Sequence, residues 1–237
     1  MANYNNPKDE FAKTPIDTVI EFFNSSTFLK IYPDSFGIGK LRFSFGQFDA
    51  NKKLKNNIDF YLNIKKGDAL VLCQDILSGR LSAEMKMEEK TRKADSKLDE
   101  NQKKYAKPVR MYQGGVSAQK AKRNDQKALS RVLEISSGTK KPVIIVCKEG
   151  PGEQAQNGLI VPKFNNSNAE KLIRVALTTD ELKAMALAVQ AYYNAWLSAA
   201  FSVKLFAEER KKKNQSKSKS SNNNFNINQI EDIEDAA

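Results

Sequence analysis

The chain has 237 residues, 40% of them hydrophobic, with 39 Lys and Arg against 28 Asp and Glu for a formal charge of +11. That length and apolar content are enough for a packed core in one large or two small domains, and the basic excess favours a polyanionic partner such as nucleic acid. Histidine is absent, which excludes Ser-His-Asp and Cys-His nucleophilic sites, His-ligated metal and imidazole acid–base chemistry.

No apolar run approaches the roughly 18 residues of a membrane span, and no Gly-rich phosphate loop or carboxylate cluster is present. The expectation is a non-enzymatic protein with no cofactor, no metal and no membrane association. It is taken as cytoplasmic, because "MANYNNPKDEFAK" lacks the basic-then-apolar layout of a signal peptide. Cys73 and Cys147 each sit inside an apolar run and read as reduced core residues.

In chain order, residues 1–16 are polar and Asn-rich, a flexible arm. Residues 17–79 alternate like half-buried strands: "TVIEFFNSS" (18–26), "FLKIY" (28–32), "KLRFSF" (40–45) and "IDFYLNI" (58–64), then a helix over 68–77 that stops at Gly79. Residues 80–128 are crowded with both charges and read as a connector, helical in places and broken at "YQGG" (112–115). A second block over 129–209 resembles the first: "RVLEISSGT" (131–139) lies over "TVIEFFNSS" and "IRVALTTDELK" (173–183) over "FYLNIKKGDAL" at one shared offset, and the strands between them align with small insertions. Its middle strands are "PVIIVCK" (142–148) and "GLIVPKF" (158–164), and its long helix starts with the capping box Thr178–Glu181. The fold expected is α+β: two tandem ββββα repeats forming antiparallel sheets, helices packed at one side, and a disordered C-terminal tail over 210–237.

Strand alternation sorts the side chains. Leu29, Ile31, Leu41, Phe43, Phe45, Ile58, Phe60, Leu62 and Ile64 face inward, which turns Phe28, Lys30, Tyr32, Lys40, Arg42 and Tyr61 outward. Rings interleaved with cations suit single-stranded nucleic acid, whose bases stack while phosphates meet ammonium and guanidinium groups. The second block offers Lys148, Lys163 and Arg174 at comparable positions. On the long helix, Tyr193, Trp196, Ala200 and Val203 continue the apolar stripe beyond the reach of a strand and are expected to join subunits.

The doubled pattern, the "VALTTDELKAM" junction (175–185) and the helix after it resemble the Whirly and transcriptional-coactivator superfamily of single-stranded-DNA-binding proteins. The resemblance covers about 17–79 and 129–206 and implies two packed sheets, single-stranded DNA as partner and a homo-oligomer joined through C-terminal helices. The chain lacks the Lys-Gly-Lys-Ala-containing strand of the plant branch, and its connector has no counterpart there. Beyond the basic "RKKKNQSKSKSSNNN" (210–224), the ending "NFNINQIEDIEDAA" places Ile230, Glu231, Asp232, Ile233, Glu234 and Asp235 in an acidic tip. That tip is similar to those with which bacterial single-stranded-DNA-binding proteins recruit replication and repair partners. The expected role is sequence-tolerant coating of single-stranded DNA in replication, recombination or transfer, in an AT-rich bacterium or its phages or plasmids. The alternatives are an RNA-binding or transcriptional regulatory protein, and a scaffolding oligomer with no nucleic-acid ligand.

Overall fold

The computed structural model describes the backbone of residues 18–223 and the side chains of residues 18–211. The acidic tip and the N-terminal arm lie outside the described residues. The chain divides into a compact unit that ends at Tyr193 and a second unit that begins at Asn194.

The compact unit is built on two antiparallel sheets. Sheet 1 is a meander of β1 (Ile20–Phe23), β2 (Thr27–Tyr32), β3 (Lys40–Phe48) and β4 (Leu54–Asn63), paired in sequence order. Gly67, at φ 92°, turns the chain into α1 (Asp68–Leu77), and Gly79, at φ 79°, separates it from α2 (Arg80–Ala94). Both glycines hold left-handed backbone that a side chain would strain. A short α3 (Glu100–Lys104) follows, then β5 (Arg110–Val116) and α4 (Ala118–Ala121).

Sheet 2 contains β5, β6 (Ala128–Ser137), β7 (Val143–Gln154), β8 (Ile160–Pro162) and β9 (Lys171–Leu177). The twelve-residue β7 is long enough to have two partners on one edge: β9 pairs with Val143–Glu149 and β8 with Gly152–Gln154. The second block therefore has the expected strand count, but its last strand lies beside β7 rather than beside β8. The stretch expected as a break, Tyr112–Gly115, lies within β5, which pairs with β6 from Arg110 to Val116. Neither Gly114 nor Gly115 takes a positive φ. A Cβ on Gly115 would come within 2.4 Å of the Leu129 carbonyl oxygen, so the missing side chain serves close approach in an extended strand.

The inward residues of both sheets form one core. Leu29, Ile31, Phe43, Phe45 and Phe60 of sheet 1 and Leu133, Ile145, Cys147, Val175 and Leu177 of sheet 2 are all at most 2% exposed. Each of the aliphatic and aromatic side chains among them contributes roughly 1.5–3 kcal/mol through burial. Polar ties join the sheets: the Asn24 amide donates to Ala176 O at 3.3 Å and the Thr27 hydroxyl to Arg174 O at 3.0 Å. Arg110 anchors β5 to the helices by pairing with Asp75 of α1 at 2.7 Å and with Glu84 of α2. Its hydrogen bond holds the Glu84 carboxyl below the usual carboxylate range. Cys73 and Cys147 are both buried and free, and burial pushes the Cys73 thiol up to about 12.

The last helix, α5 (Thr179–Asn223), begins with the expected capping box: Thr178 N donates to Glu181 Oε2 at 2.6 Å and Glu181 N to Thr178 Oγ1 at 3.1 Å. Leu182, Met185, Ala186 and Val189 are buried, and Tyr193 meets Phe36 edge-on at 5.3 Å between ring centroids. In the second unit, Leu197, Phe201, Val203, Leu205 and Phe206 are exposed.

Candidate nucleic-acid interface

The register of sheet 1 lines up the outward side chains in rows. Phe23 stands opposite Phe28, which stands opposite Gly46; Glu21, Lys30, Ser44 and Asp59 form the next row; Tyr32, Arg42 and Tyr61 the third; Lys40 and Asn63 the last. All six outward residues expected on this sheet are thereby on one face, opposite the core.

The first row is aromatic for a backbone reason. A Cβ on Gly46 would lie 2.0 Å from the Phe28 ring, so the absence of a side chain lets that ring lie over β3. Phe28 is then 5.9 Å from Phe23 and 5.4 Å from Phe48, centroid to centroid. Phe23, which the sequence reading did not assign to the site, is 54% exposed; the alternation of "EFF" places it outward once Phe22 is inward. Lys30 Nζ lies 5.3 Å from the Phe23 centroid and 5.8 Å from that of Phe28, within the range of cation–π attraction. In the third row the Arg42 guanidinium lies 4.0 Å from the Tyr32 centroid, and Tyr61 is 41% exposed.

The cations of this face have surface partners. Lys30 pairs with Glu21 at 2.8 Å, and that hydrogen bond raises its pKa, so it stays charged. Arg42 pairs with Asp34 at 2.6 Å and more loosely with Asp59 at 3.7 Å, while Lys40 donates to the Asn63 side chain. Exposed pairs of this kind are worth about 0–1 kcal/mol, so an incoming phosphate can replace the carboxylate at low cost. The hairpin after Phe48 adds Lys52, Lys53 and Lys55, exposed and without a carboxylate partner among the described residues. They were not among the expected site residues, although "NKKLK" (51–55) is legible as a basic hairpin.

The three cations expected from the second block lie elsewhere. Lys148 is on the outer face of sheet 2 but only 5% exposed, and its ammonium pairs with Glu134. Its charge is answered by that carboxylate. Lys163 follows β8 and pairs with Glu153 at 2.5 Å. Arg174, on β9, is exposed and has no ion-pair partner among the described residues.

Of the residues expected to join subunits, Tyr193 packs on Phe36 within the compact unit, whereas Trp196, Ala200 and Val203 belong to the second unit. Among the described residues no helix is long and apolar enough to cross a membrane, and no three His, Cys, Asp or Glu side chains converge as metal ligands.

No protein family and no curated protein matches the chain. Among solved structures it is similar to WHY1 from Arabidopsis thaliana, with a TM-score of 0.40 and 12% identity over 80% of this chain and 92% of that one. It is also similar to the plant transcriptional regulator PBF-2, with a TM-score of 0.38 and 12% identity over 78% of this chain and 94% of that one.

Proposed function

We propose that the protein is a non-enzymatic, sequence-tolerant binder of single-stranded DNA, and that the outer face of sheet 1 is its binding surface. The observation that carries the reading is the aromatic row: Phe28 lies over Gly46 between Phe23 and Phe48, with Lys30 above the rings. Bases stack on such rings whatever their identity, at about 1–3 kcal/mol per base. Tyr32 and Tyr61 extend the platform, and Lys30, Lys40, Arg42 and the hairpin lysines receive phosphates.

Oligo-dT should bind with steep salt dependence, and replacing Phe28, Tyr32 and Tyr61 together by Ala should weaken binding at least tenfold, as read by fluorescence anisotropy. Equal binding by the triple variant sinks the aromatic platform. Tighter binding of duplex, or of oligo-rU, at the same salt transfers the protein to the regulatory or RNA-binding reading.

A second element of the proposal is self-association through α5 beyond Tyr193, where Leu197, Phe201, Val203, Leu205 and Phe206 expose apolar surface. Sedimentation of a Phe201→Asp, Val203→Asp variant should show a smaller species than the parent chain. We place the protein in replication, recombination or transfer, with the acidic tip recruiting partner proteins. Deleting residues 225–237 should leave DNA binding intact or tighter while partner capture is lost; a collapse of DNA binding refutes that role for the tip.

A further inference from the structure

The inner faces of the two sheets pack on each other, so the outer face of sheet 2 looks away from the aromatic face of sheet 1. Two adjoining hollows of about 420 and 340 Å³ cross it, both bordered by Glu134, Lys148 and Asn166. Together they form a trough whose size is that of ordinary small-molecule sites.

Three features give this trough a chemistry. The first repeats the device of sheet 1. Phe164 lies over Gly150 of β7, where an added Cβ would come within 2.7 Å of the ring, as Phe28 lies over Gly46 on β3. The second is charge. Lys148 and Glu134 cancel at the floor, which leaves Lys104 and Arg174 on the rim; Lys104 donates only to the neutral Asn101 amide, at 3.3 Å, and neither has a carboxylate partner among the described residues. The third is a second ring: Tyr105, beside Lys104, is 77% exposed and borders the trough. Rings, unanswered cations and the amide of Asn166 match an anionic chain of stackable bases better than an acidic or an apolar peptide.

We propose that this trough is a second site for single-stranded nucleic acid, so that one chain holds two strand segments on opposite sides of the sandwich. The inference rests on the reading of sheet 1 as the first site. Two strands held by one protein are brought into proximity without a second subunit, which is what pairing or bridging of strands requires.

Stoichiometry per chain tests it and does not depend on assembly state. The full chain is titrated at saturating concentration with labelled oligo-dT of roughly eight nucleotides, within the span of one site of this general kind. Two oligonucleotides per chain are expected. A Tyr105→Ala, Arg174→Ala variant, altered only at exposed side chains, should retain one, and so should the Phe28, Tyr32, Tyr61 triple variant. Urea midpoints confirm that each variant is folded. One oligonucleotide per chain, unaffected by the Tyr105 and Arg174 changes, overturns the second site and leaves the first standing. One that is lost with Tyr105 and Arg174 but kept by the triple variant overturns both the pairing of sites and the sheet 1 reading, as does no binding at all.

Discussion

On the outer face of sheet 1, Lys30 and Arg42 pair with Glu21 and Asp34, whose side chains are 48% and 51% exposed, whereas on the outer face of sheet 2 the side chains of Lys148 and Glu134 are 7% and 10% exposed. All three pairs begin from the same sequence pattern, a cation at an outward strand position. They diverge because Glu21 lies on the edge strand β1 and Asp34 in the turn after β2, while residues 104–108 and 164–167 border the outer face of sheet 2 around Lys148 and Glu134. Water on one face keeps ion pairs weak and exchangeable; its removal on the other makes the pair a structural element whose halves depend on each other.

The contrast is broken most directly by removing one cation from each face. Lys148→Ala leaves Glu134 buried without its partner and should cost about 3–5 kcal/mol in urea unfolding. Replacing the pair together by Met and Leu should recover most of that loss, because no uncompensated charge remains. Lys30→Ala should shift stability by about 0–1 kcal/mol. A similar loss from Lys30→Ala and Lys148→Ala would mean that the two faces are not electrostatically different.

The next test concerns the rings. Gly46→Val forces Phe28 off the sheet, because even a Cβ meets the ring at 2.0 Å. Overpacking of this kind costs roughly 1–3 kcal/mol of stability. Oligo-dT affinity should fall by about as much as in Phe28→Ala, one stacking interaction of about 1–3 kcal/mol. Unchanged affinity would show that the ring does not need its place over β3.

These tests also mark what could be seen in the sequence. Inward alternation on β2, β3 and β4, the bounds of α1, the stop at Gly79 and the Thr178–Glu181 cap are local patterns, and each appears as expected. β5 was hidden because "RMYQGGV" has no alternation. As an edge strand it needs only backbone pairing with β6 and small residues where Leu129 O and Phe60 come close. β7 continues past the expected strand end at Lys148, through Gly150–Pro151–Gly152, because those glycines accept Phe164 and Ile160 from the segment that folds back over them. The outward direction of Lys148 was legible; its burial was not, since the covering residues are distant in sequence. Phe23 and the hairpin lysines could have been found by carrying the alternation one strand earlier and one turn later.

A smaller effect separates stacking from charge on sheet 1. Each phosphate contact contributes about 0.7 to the slope of log affinity against log salt for a single strand. Arg42→Gln should flatten that slope by about this amount while base preference stays unchanged. A slope that does not move means that Arg42 remains with Asp34 in the complex and serves only to hold Tyr32.

The smallest effect is expected at Lys163, and it discriminates because the residue is adjacent in sequence to Phe164. Lys163 shares a separate hollow with Glu153 and Gln156, whereas Phe164 borders the trough on the outer face of sheet 2. Its ammonium is 2.5 Å from Glu153, and both side chains are largely exposed. Lys163→Ala should therefore leave oligo-dT affinity, the salt slope and the number of oligonucleotides per chain unchanged, while Arg174→Ala alters all three. If Lys163→Ala flattens the salt slope as much as Arg174→Ala does, the strand follows the end of β8 instead of the trough, and the path across sheet 2 has to be redrawn.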